Sequence, residues 1–410
     1  MKFRHVVLLT LFLLLCPVGV ITFWYLCCPV YEYAPKQPFS GQSIFNPYAD
    51  FASAIPLKAN FHAHSAAWGG LTAGNNAAEA VLEHYRYLDY DIPVISNYQS
   101  ISRHNHEYPL YIPTYEHGYG IFKFHLLCIG ADRVIWHDFP LWNTIDNKQY
   151  ILDRCQSIAR VVVICHPTFT KFLSLEDISR LSNYDLIEVT RGTRLTTEHW
   201  DAALSAGRLV FGMSNDDSKC LSREQDYLRR YNLVFVREQT VENVYQSLQN
   251  GKIIAILVPV AHDLEQRREI SKSVKELLDN IDFDQDTLSV SLNHPAKRIA
   301  FIGQNGTVRK EQHDTEQGEY VFTPEDTYIR TEIEFHSGII FLLNPLVRYD
   351  GCLEVYRNLN HISWSKTIFY VTIRFIVFGI IVYFGFRICF GFRFGTKSIQ
   401  TLIRERNDVS

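Results

Sequence analysis

Two histidines one residue apart are the first sign of chemistry in this chain. His62 and His64 lie in the segment Asn60-Phe-His-Ala-His64, at the end of a predicted short strand. Because side chains alternate along a strand, both imidazoles should point to the same face. Two neutral imidazoles on one rigid element supply half of the ligands that a zinc, manganese or iron ion needs. The pair predicts a metal site only if other strands supply the remaining ligands, because a chain with 16 histidines easily contains such a pair by chance.

Further polar side chains follow several other predicted strands. They are Asn97, Tyr98, His125, His166, Glu188, Asp216 and Asp217, with Glu116 one short loop before His125. Catalytic groups of a barrel of parallel strands collect at the carboxyl ends of those strands. Any one of these residues is equally compatible with a polar loop position. As a set they favour a metal centre.

The elements that must position these groups are short apolar strands that alternate with helix-like segments, a pattern typical of a parallel α/β fold. The predicted strands cover residues 59–62, 93–96, 124–129, 161–165, 186–189, 209–212 and 233–236. Helical spacing of apolar residues is found in segments 77–88, 148–159 and 241–248. Seven such units favour a barrel over an open sheet.

The organisation changes near residue 286. Segments 288–292, 298–302, 319–322, 328–335 and 339–343 predict closely spaced strands with no helix between them, which favours a small antiparallel β-sandwich. The predicted parts of the chain are an amino-terminal anchor (1–32), a metal-binding barrel (33–262), a helix and linker (263–286), the sandwich (287–358), a transmembrane helix (366–388) and a basic cytoplasmic tail (389–410).

The motifs resemble those of the polymerase and histidinol phosphatase (PHP) family of metal-dependent phosphoesterases over residues 56–260. Asn60-Phe-His-Ala-His64 is similar to the family's Asp-Leu-His-x-His opening, and Val94-Ile-Ser-Asn-Tyr98 to its strand that ends in Ser-Asp-His. Glu116 takes the place of its acidic ligand, and Phe124-His125-Leu-Leu, Cys165-His166-Pro167 and Asp217-Ser-Lys219 match its later motifs. The resemblance implies a distorted, TIM-like barrel of seven βα units.

The resemblance also implies which residues would hold metal ions. It assigns His62, His64, Glu116 and Asp217 to one ion, and Glu116, His125 and His166 to a second. The positions of a third ion's ligands are Gly69, Tyr98 and Lys219, none of which replaces a metal-binding imidazole. The pattern therefore predicts a centre of two divalent ions (zinc, manganese or iron) that Glu116 bridges.

Such a centre predicts hydrolysis of a phosphate ester, because two neighbouring cations can clamp a phosphate and activate a water molecule. Arg191 is a candidate phosphate clamp, and an exposed loop arginine is the equal alternative. Lys219 is a candidate positive charge at the third ion's place, against an ordinary surface lysine. Glu188 and Asp216 are expected to orient ligands. The alternative function is a catalytically inactive binding or scaffold protein of the cell envelope, which Asn97, Tyr98 and Lys219 favour.

Apolar segments at both ends predict membrane anchoring. No charge lies between His5 and Glu32, and residues 6–26 are long enough to cross roughly 30 Å of hydrocarbon. A cleaved signal peptide is the competing interpretation. Residues 368–386 form a second apolar run with Arg374 inside it, where a snorkelling arginine is expected rather than a functional charge. Basic residues before the first run and after the second place both termini in the cytoplasm and the catalytic domain outside.

Composition limits the other possibilities. The net charge of −4 gives no basic excess, so no nucleic-acid partner is expected, and the expected partners are a phosphorylated substrate and the membrane. Nine scattered cysteines without a Cys-x-x-Cys pair do not indicate a disulfide scaffold. Cys165, at the end of an apolar run, is interpreted as a small buried hydrophobe.

Overall fold

The computed structural model describes residues 3–104, 106–169, 172–258 and 263–407, and within these ranges the side chains of residues 13 and 15–388. The chain divides into two compact units, Tyr33–Asn360 and the two terminal segments Met1–Glu32 with His361–Ser410. The α-helices are α1 (Phe3–Cys27), α2 (Ala78–Tyr87), α3 (Ile145–Gln156), α4 (Leu175–Ile178), α5 (Glu198–Ser205), α6 (Val241–Gln249), α7 (Leu264–Leu277) and α8 (Trp364–Asn407). The strands are β1 (Tyr31–Glu32), β2 (Ser43–Phe45), β3 (Ile55–Asn60), β4 (Ile92–Pro93), β5 (Thr114–His117), β6 (Leu126–Ile129), β7 (Val161–Ile164), β8 (Leu186–Glu188), β9 (Thr190–Arg191), β10 (Arg194–Leu195), β11 (Phe211–Met213), β12 (Arg230–Val236), β13 (Ile253–Leu257), β14 (Leu278–Asp284), β15 (Thr287–Gly303), β16 (Thr307–Val321), β17 (Tyr328–Phe335), β18 (Ile340–Tyr349) and β19 (His361–Ile362).

The unit Tyr33–Asn360 is a mixed α/β structure built on two main sheets. The smaller has five strands in the order β11-β8-β7-β6-β5. The larger has ten strands and follows the order β14-β15-β17-β18-β13-β12-β3-β4, with β16 added beside β15 and β2 beside β18. The predicted barrel is therefore wrong in its closure, because in the part of the chain that the structure describes these sheets remain separate.

The directions of two strands, β6 and β12, differ from those of a parallel barrel. β6 runs antiparallel to both β5 and β7, and β12 runs antiparallel to both β3 and β13. The connection from β5 to β6 contains no helix, so it joins neighbouring strands as an antiparallel pair instead of a parallel crossover. Among the strands of the described residues, the parallel pairs that the sequence leads one to expect are β7 with β8, β8 with β11 and β3 with β4.

The predicted sandwich strands are antiparallel, as expected, but they extend the larger sheet. Ile254 to Leu257 of β13 pair with Ile340 to Leu343 of β18, which joins the two regions by a continuous ladder. One apolar core follows the same path and includes Val81, Leu233, Ile299 and Phe341. The predicted linker before the sandwich is a strand in its second half, because β14 pairs with β15 directly after α7.

The terminal segments form a unit of their own. Tyr31 pairs with Ile362 and Glu32 with His361, so β1 and β19 bring the ends of α1 and α8 together. Trp364–Ile388 is the one segment among the described residues that is long and apolar enough to cross a membrane. At the amino end the side chains of α1 are described continuously from Leu15, and the apolar stretch within that part, Leu15–Cys27, is shorter than a span, so a span at each end is not shown. Arg374 has a hydrogen-bond partner within this unit, because its Nη1 donates to the carbonyl oxygen of Cys28 at 2.5 Å.

Candidate metal centre

The two histidines of the opening motif lie just after strand β3. Ala63, between them, forms a parallel bridge with Ser218, and the backbone N–H of His64 donates to the Ser218 carbonyl at 2.8 Å. The extended backbone at Ala63 places both imidazoles on one side, with ring centroids 5.2 Å apart. The same bridge brings the loop after β11, with Asp217, beside the histidine pair.

The other predicted ligands come from the smaller sheet. Glu116 is on β5, His125 directly precedes β6, and His166 follows β7 by one residue. Glu116 and His62 are completely buried, and His125 nearly so. The structure therefore brings together all six side chains that the sequence singles out as metal ligands, from five separate parts of the chain.

One group of four ligand atoms has the spacing of a tetrahedral site. Glu116 Oε2 lies 3.3 Å from His62 Nε2 and 3.2 Å from His64 Nε2. Asp217 Oδ1 lies 3.4 Å and 3.3 Å from the same two nitrogens. Ligands 2.0–2.1 Å from a tetrahedral zinc ion are about 3.3–3.4 Å apart. These four buried atoms lack a partner with hydrogen-bonding geometry among the described residues, so the site fits a cation.

The second oxygen of Glu116 faces a different histidine pair. Glu116 Oε1 lies 2.6 Å from His125 Nδ1 and 3.4 Å from His166 Nε2. One carboxylate thus directs each of its oxygens to a separate pair of imidazoles. The donor set of nitrogen and carboxylate oxygen suits zinc, manganese or iron.

Glu188 orients these groups from behind. His62 Nδ1 donates to Glu188 Oε1 at 2.9 Å, because a carboxylate can only accept, and this leaves Nε2 of a neutral His62 free as a ligand. Asn215 Nδ2 donates to the same oxygen at 3.0 Å. The backbone N–H of His166 donates to the other oxygen, Oε2, at 2.7 Å. Glu188 therefore contacts both halves of the centre, as the sequence predicts for an orienting residue.

The cluster holds an excess of negative charge when its histidines are neutral, because three carboxylates lie in it. Burial alone would raise the pKa of Glu116, yet His125 and His62 hold it well below its usual value. Burial would lower the pKa of His62, but the carboxylates of Asp217 and Glu116 raise it well above the ordinary range. The pKa of Asp217 is likewise held down against burial, first by His62. Either protons on the imidazoles or divalent cations can balance this negative charge, and with cations bound the imidazoles stay neutral.

Two of the six residues sit in an unusual backbone conformation. His166 has a φ of 29° and Asp217 a φ of 47°, in the left-handed region that side chains other than glycine rarely adopt. Such conformations cost about 1–3 kcal/mol each and persist where the surrounding structure enforces them. Here the hydrogen bond from the His166 N–H to Glu188 and the bridge at Ser218 hold the two turns.

The two predicted basic residues lie beside the centre. Lys219 Nζ is 3.3 Å from Asp217 Oδ2, the oxygen that does not face the histidines. Arg191 is exposed on the β9–β10 hairpin, where its guanidinium lies 4.5 Å from the centroid of the Phe169 ring. Both line one cleft of about 740 Å³ together with His166, Glu188 and Asp217.

The remaining positions of the motif carry no ligand. The Tyr98 ring stacks on His64 with centroids 4.7 Å apart and planes inclined by 18°. Asn97 Oδ1 accepts from the Ser65 backbone N–H at 2.8 Å. Asp216 lies behind the centre and accepts from the Tyr90 hydroxyl at 3.1 Å.

Sequence reasoning missed two neighbours of the centre. Cys165 is buried, as its apolar run predicts, and its sulfur also lies within 4.8 Å of ligand atoms of His62 and Glu188. Asn215 was not singled out, although its side chain contacts Glu188. The signal for both was their place directly beside a candidate ligand at a strand end.

Comparisons with known proteins add little to this geometry. No family model matches the chain, and no curated protein matches it. Among solved structures, the chain is similar to a two-domain protein from Bacteroides vulgatus ATCC 8482 that contains a predicted PHP-like metal-dependent phosphoesterase. The identity is 14%, the TM-score is 0.40, and the match covers 76% of this chain and 100% of that chain.

Proposed function

We propose that this protein is a metal-dependent phosphoesterase whose centre holds two divalent cations bridged by Glu116. The observation that supports this most directly is the division of the Glu116 carboxylate between two histidine pairs. His62, His64 and Asp217 would complete one site, and His125 and His166 the other. The motif resemblance to PHP phosphoesterases agrees with this assignment.

Two bound cations would lower the pKa of a water molecule and stabilise the charge of the phosphate in the transition state. The new bond forms between the water oxygen and phosphorus, the bond from phosphorus to the ester oxygen breaks, and a proton goes to the departing alkoxide. Arg191, which lines the cleft, would hold two phosphate oxygens, as a guanidinium can. Lys219 adds a positive charge beside Asp217. Glu188 fixes the ring of His62 so that Nε2 faces the site.

We further propose that the catalytic unit lies outside the cytoplasm, anchored by helices at both ends. The apolar segment Trp364–Ile388 and the basic residues beyond it support the carboxyl-terminal anchor. Lys2 and Arg4, which precede the apolar run 6–26, support a cytoplasmic amino terminus. A reporter enzyme that is active only outside the cytoplasm, inserted after Arg357, should be active. Activity of a cytoplasm-only reporter at that position would overturn this orientation.

The metal content of the full-length protein tests the centre. We expect about two divalent ions per chain in the wild type, with hydrolysis of p-nitrophenyl phosphate in zinc or manganese. Glu116→Gln should lose both ions, because both sites share this residue, whereas Asp217→Asn and His125→Ala should each retain about one. Asp326→Asn is a matched control, since Asp326 is a buried carboxylate that accepts from the Tyr320 hydroxyl and does not contact the cluster.

The outcomes separate the candidate functions. A wild-type protein that binds no divalent metal would refute the proposal. Binding of two ions with no hydrolysis of any phosphate ester would instead favour the binding or scaffold protein. Loss of only one ion in Glu116→Gln would show that this residue does not bridge the sites.

A further inference from the structure

Several exposed apolar side chains lie on the loops next to the candidate metal centre. This apolar rim consists of Trp68, Leu71, Tyr119, Ile121, Trp136 and Phe169, each between 43% and 90% exposed. Single exposed hydrophobic residues are ordinary on protein surfaces, but a cluster of them at one site marks a place where apolar material binds. Leu71 and Ile121, at 90% and 66%, are exposed too far for a role in core packing.

The aromatic residues of the rim connect to the ligands. The Trp68 ring lies 5.6 Å from the Trp136 ring, and the Tyr119 hydroxyl donates to the Trp136 carbonyl at 2.7 Å. Trp68 Nε1 donates to the Tyr98 carbonyl at 2.8 Å, and the Tyr98 ring stacks on His64. A chain of direct contacts therefore leads from the metal centre to the outer edge of the rim.

One cleft contains three residues of the rim and three of the proposed ligands, and Ile121 lies in the loop between two of its lining residues, Tyr119 and Lys123. Its volume is about 420 Å³, and Leu71, Tyr119 and Phe169 line it together with His125, His166 and Asp217. Clefts of ~300–1,000 Å³ are typical of sites for small organic molecules. A phosphate at the metal centre would therefore leave its ester group in contact with the rim.

We infer that the substrate is a phosphate ester of a hydrocarbon alcohol, of the kind found in lipids, whose chain lies on the apolar rim. This inference rests on the proposed phosphoesterase function and specifies its substrate class. The most exposed residue of the cleft, Leu71, is aliphatic, and aromatic rings also pack against alkyl chains, so an alkyl chain fits every residue of the rim whereas a nucleobase would use only its rings. The candidate membrane helix of the same chain would keep the protein where such lipids are found.

Binding of alkylphosphonates, which cannot be hydrolysed at the P–C bond, tests the inference without turnover. We would measure methylphosphonate and hexylphosphonate by titration calorimetry on the full chain in lipid nanodiscs, with empty nanodiscs as the blank. Each methylene that enters a half-buried apolar site should tighten binding about twofold, so five of them predict about thirtyfold for hexylphosphonate. Leu71→Ser combined with Ile121→Ser should reduce this ratio at least threefold. Val321→Ser is the matched control, because Val321 is 61% exposed on β16 and does not line the cleft.

The arms distinguish the two levels of the proposal. Equal binding of the two phosphonates would overturn the hydrocarbon subsite and leave the phosphoesterase intact. Failure to bind either compound would overturn both. A nucleoside monophosphate that binds more tightly than hexylphosphonate would overturn the alkyl assignment in favour of base stacking. A ratio that falls as much in Val321→Ser as in the rim variant would also count against it.

Discussion

Replacing Glu188 with glutamine should weaken metal binding although it removes no proposed ligand. Both oxygens of Glu188 act as acceptors: Oε1 accepts from His62 Nδ1 and Asn215 Nδ2, and Oε2 accepts from the His166 backbone N–H. A glutamine amide offers one oxygen and one NH₂ group. Whichever way the amide is turned, an NH₂ group faces an N–H donor, so the orientation of His62 or of the His166 turn is lost.

The size of the effect follows from these contacts. A hydrogen bond to a charged acceptor contributes about 1.5–3 kcal/mol, which corresponds to roughly 10- to 100-fold in metal affinity. The same range is typical when a residue that supports a metal-binding histidine is changed. The loss of the charge also lowers the basicity of His62, which acts in the same direction.

Competition between the protein and a chromogenic chelator would measure zinc affinity in the wild type, Glu188→Gln and the control Asp326→Asn. Thermal unfolding of the metal-free forms would show that the variants are folded. We expect Asp326→Asn to reduce stability without a change in zinc affinity. The reasoning would be refuted by a folded Glu188→Gln protein that binds zinc as tightly as the wild type.

Two further predictions concern buried charges away from the centre. Burial raises the pKa of Asp185 from 3.8 to about 6, so its contribution to stability is present below about pH 4 and is lost as the pH rises through about 6. Asp185→Asn can still accept from the Val162 N–H, so it should raise the free energy of unfolding by up to about 3 kcal/mol at pH 8 and leave it unchanged at pH 4. Denaturant unfolding at the two pH values would measure this, and equal effects at both would contradict it. Arg330 donates to both oxygens of buried Asp201 at 2.8 Å, so Arg330→Leu should lower the free energy of unfolding by about 3–5 kcal/mol. The control is Lys272→Ala, which removes an exposed ion pair with Glu269 and should cost less than about 1 kcal/mol. A change in Arg330→Leu as small as that of the control would show that the buried ion pair does not stabilise the fold.

The residues at the site were easier to predict than the sheet that positions them. Strands β7 and β8 lie within one residue of the predicted segments 161–165 and 186–189, because short apolar runs between loops mark buried strands clearly. The polar residues that follow such strands could therefore be identified. Their meeting in one cluster did not require the barrel to close, since the bridge between Ala63 and Ser218 brings the loops together.

Strand direction and long polar strands could not be predicted. Apolar patterning shows where β6 and β12 are but not which way they run relative to their neighbours. Most side chains of β16 are exposed, so its sequence has no alternation of apolar and polar residues. Its place in the sheet depends on the backbone ladder to β15. The segments predicted at 288–292 and 298–302 form one strand, β15, and the exposed residues in its middle hide this in the sequence.

The positive φ angles at His166 and Asp217 set stability against function at the same positions. A glycine at either site would relax the backbone and remove a proposed ligand, so selection for the thermostability of the metal-free protein alone would favour the loss of the candidate metal centre. A screen for stabilised variants of this protein should therefore score metal content together with melting temperature. The native residues at these two turns therefore combine a strained backbone with an imidazole and a carboxylate that point toward one site.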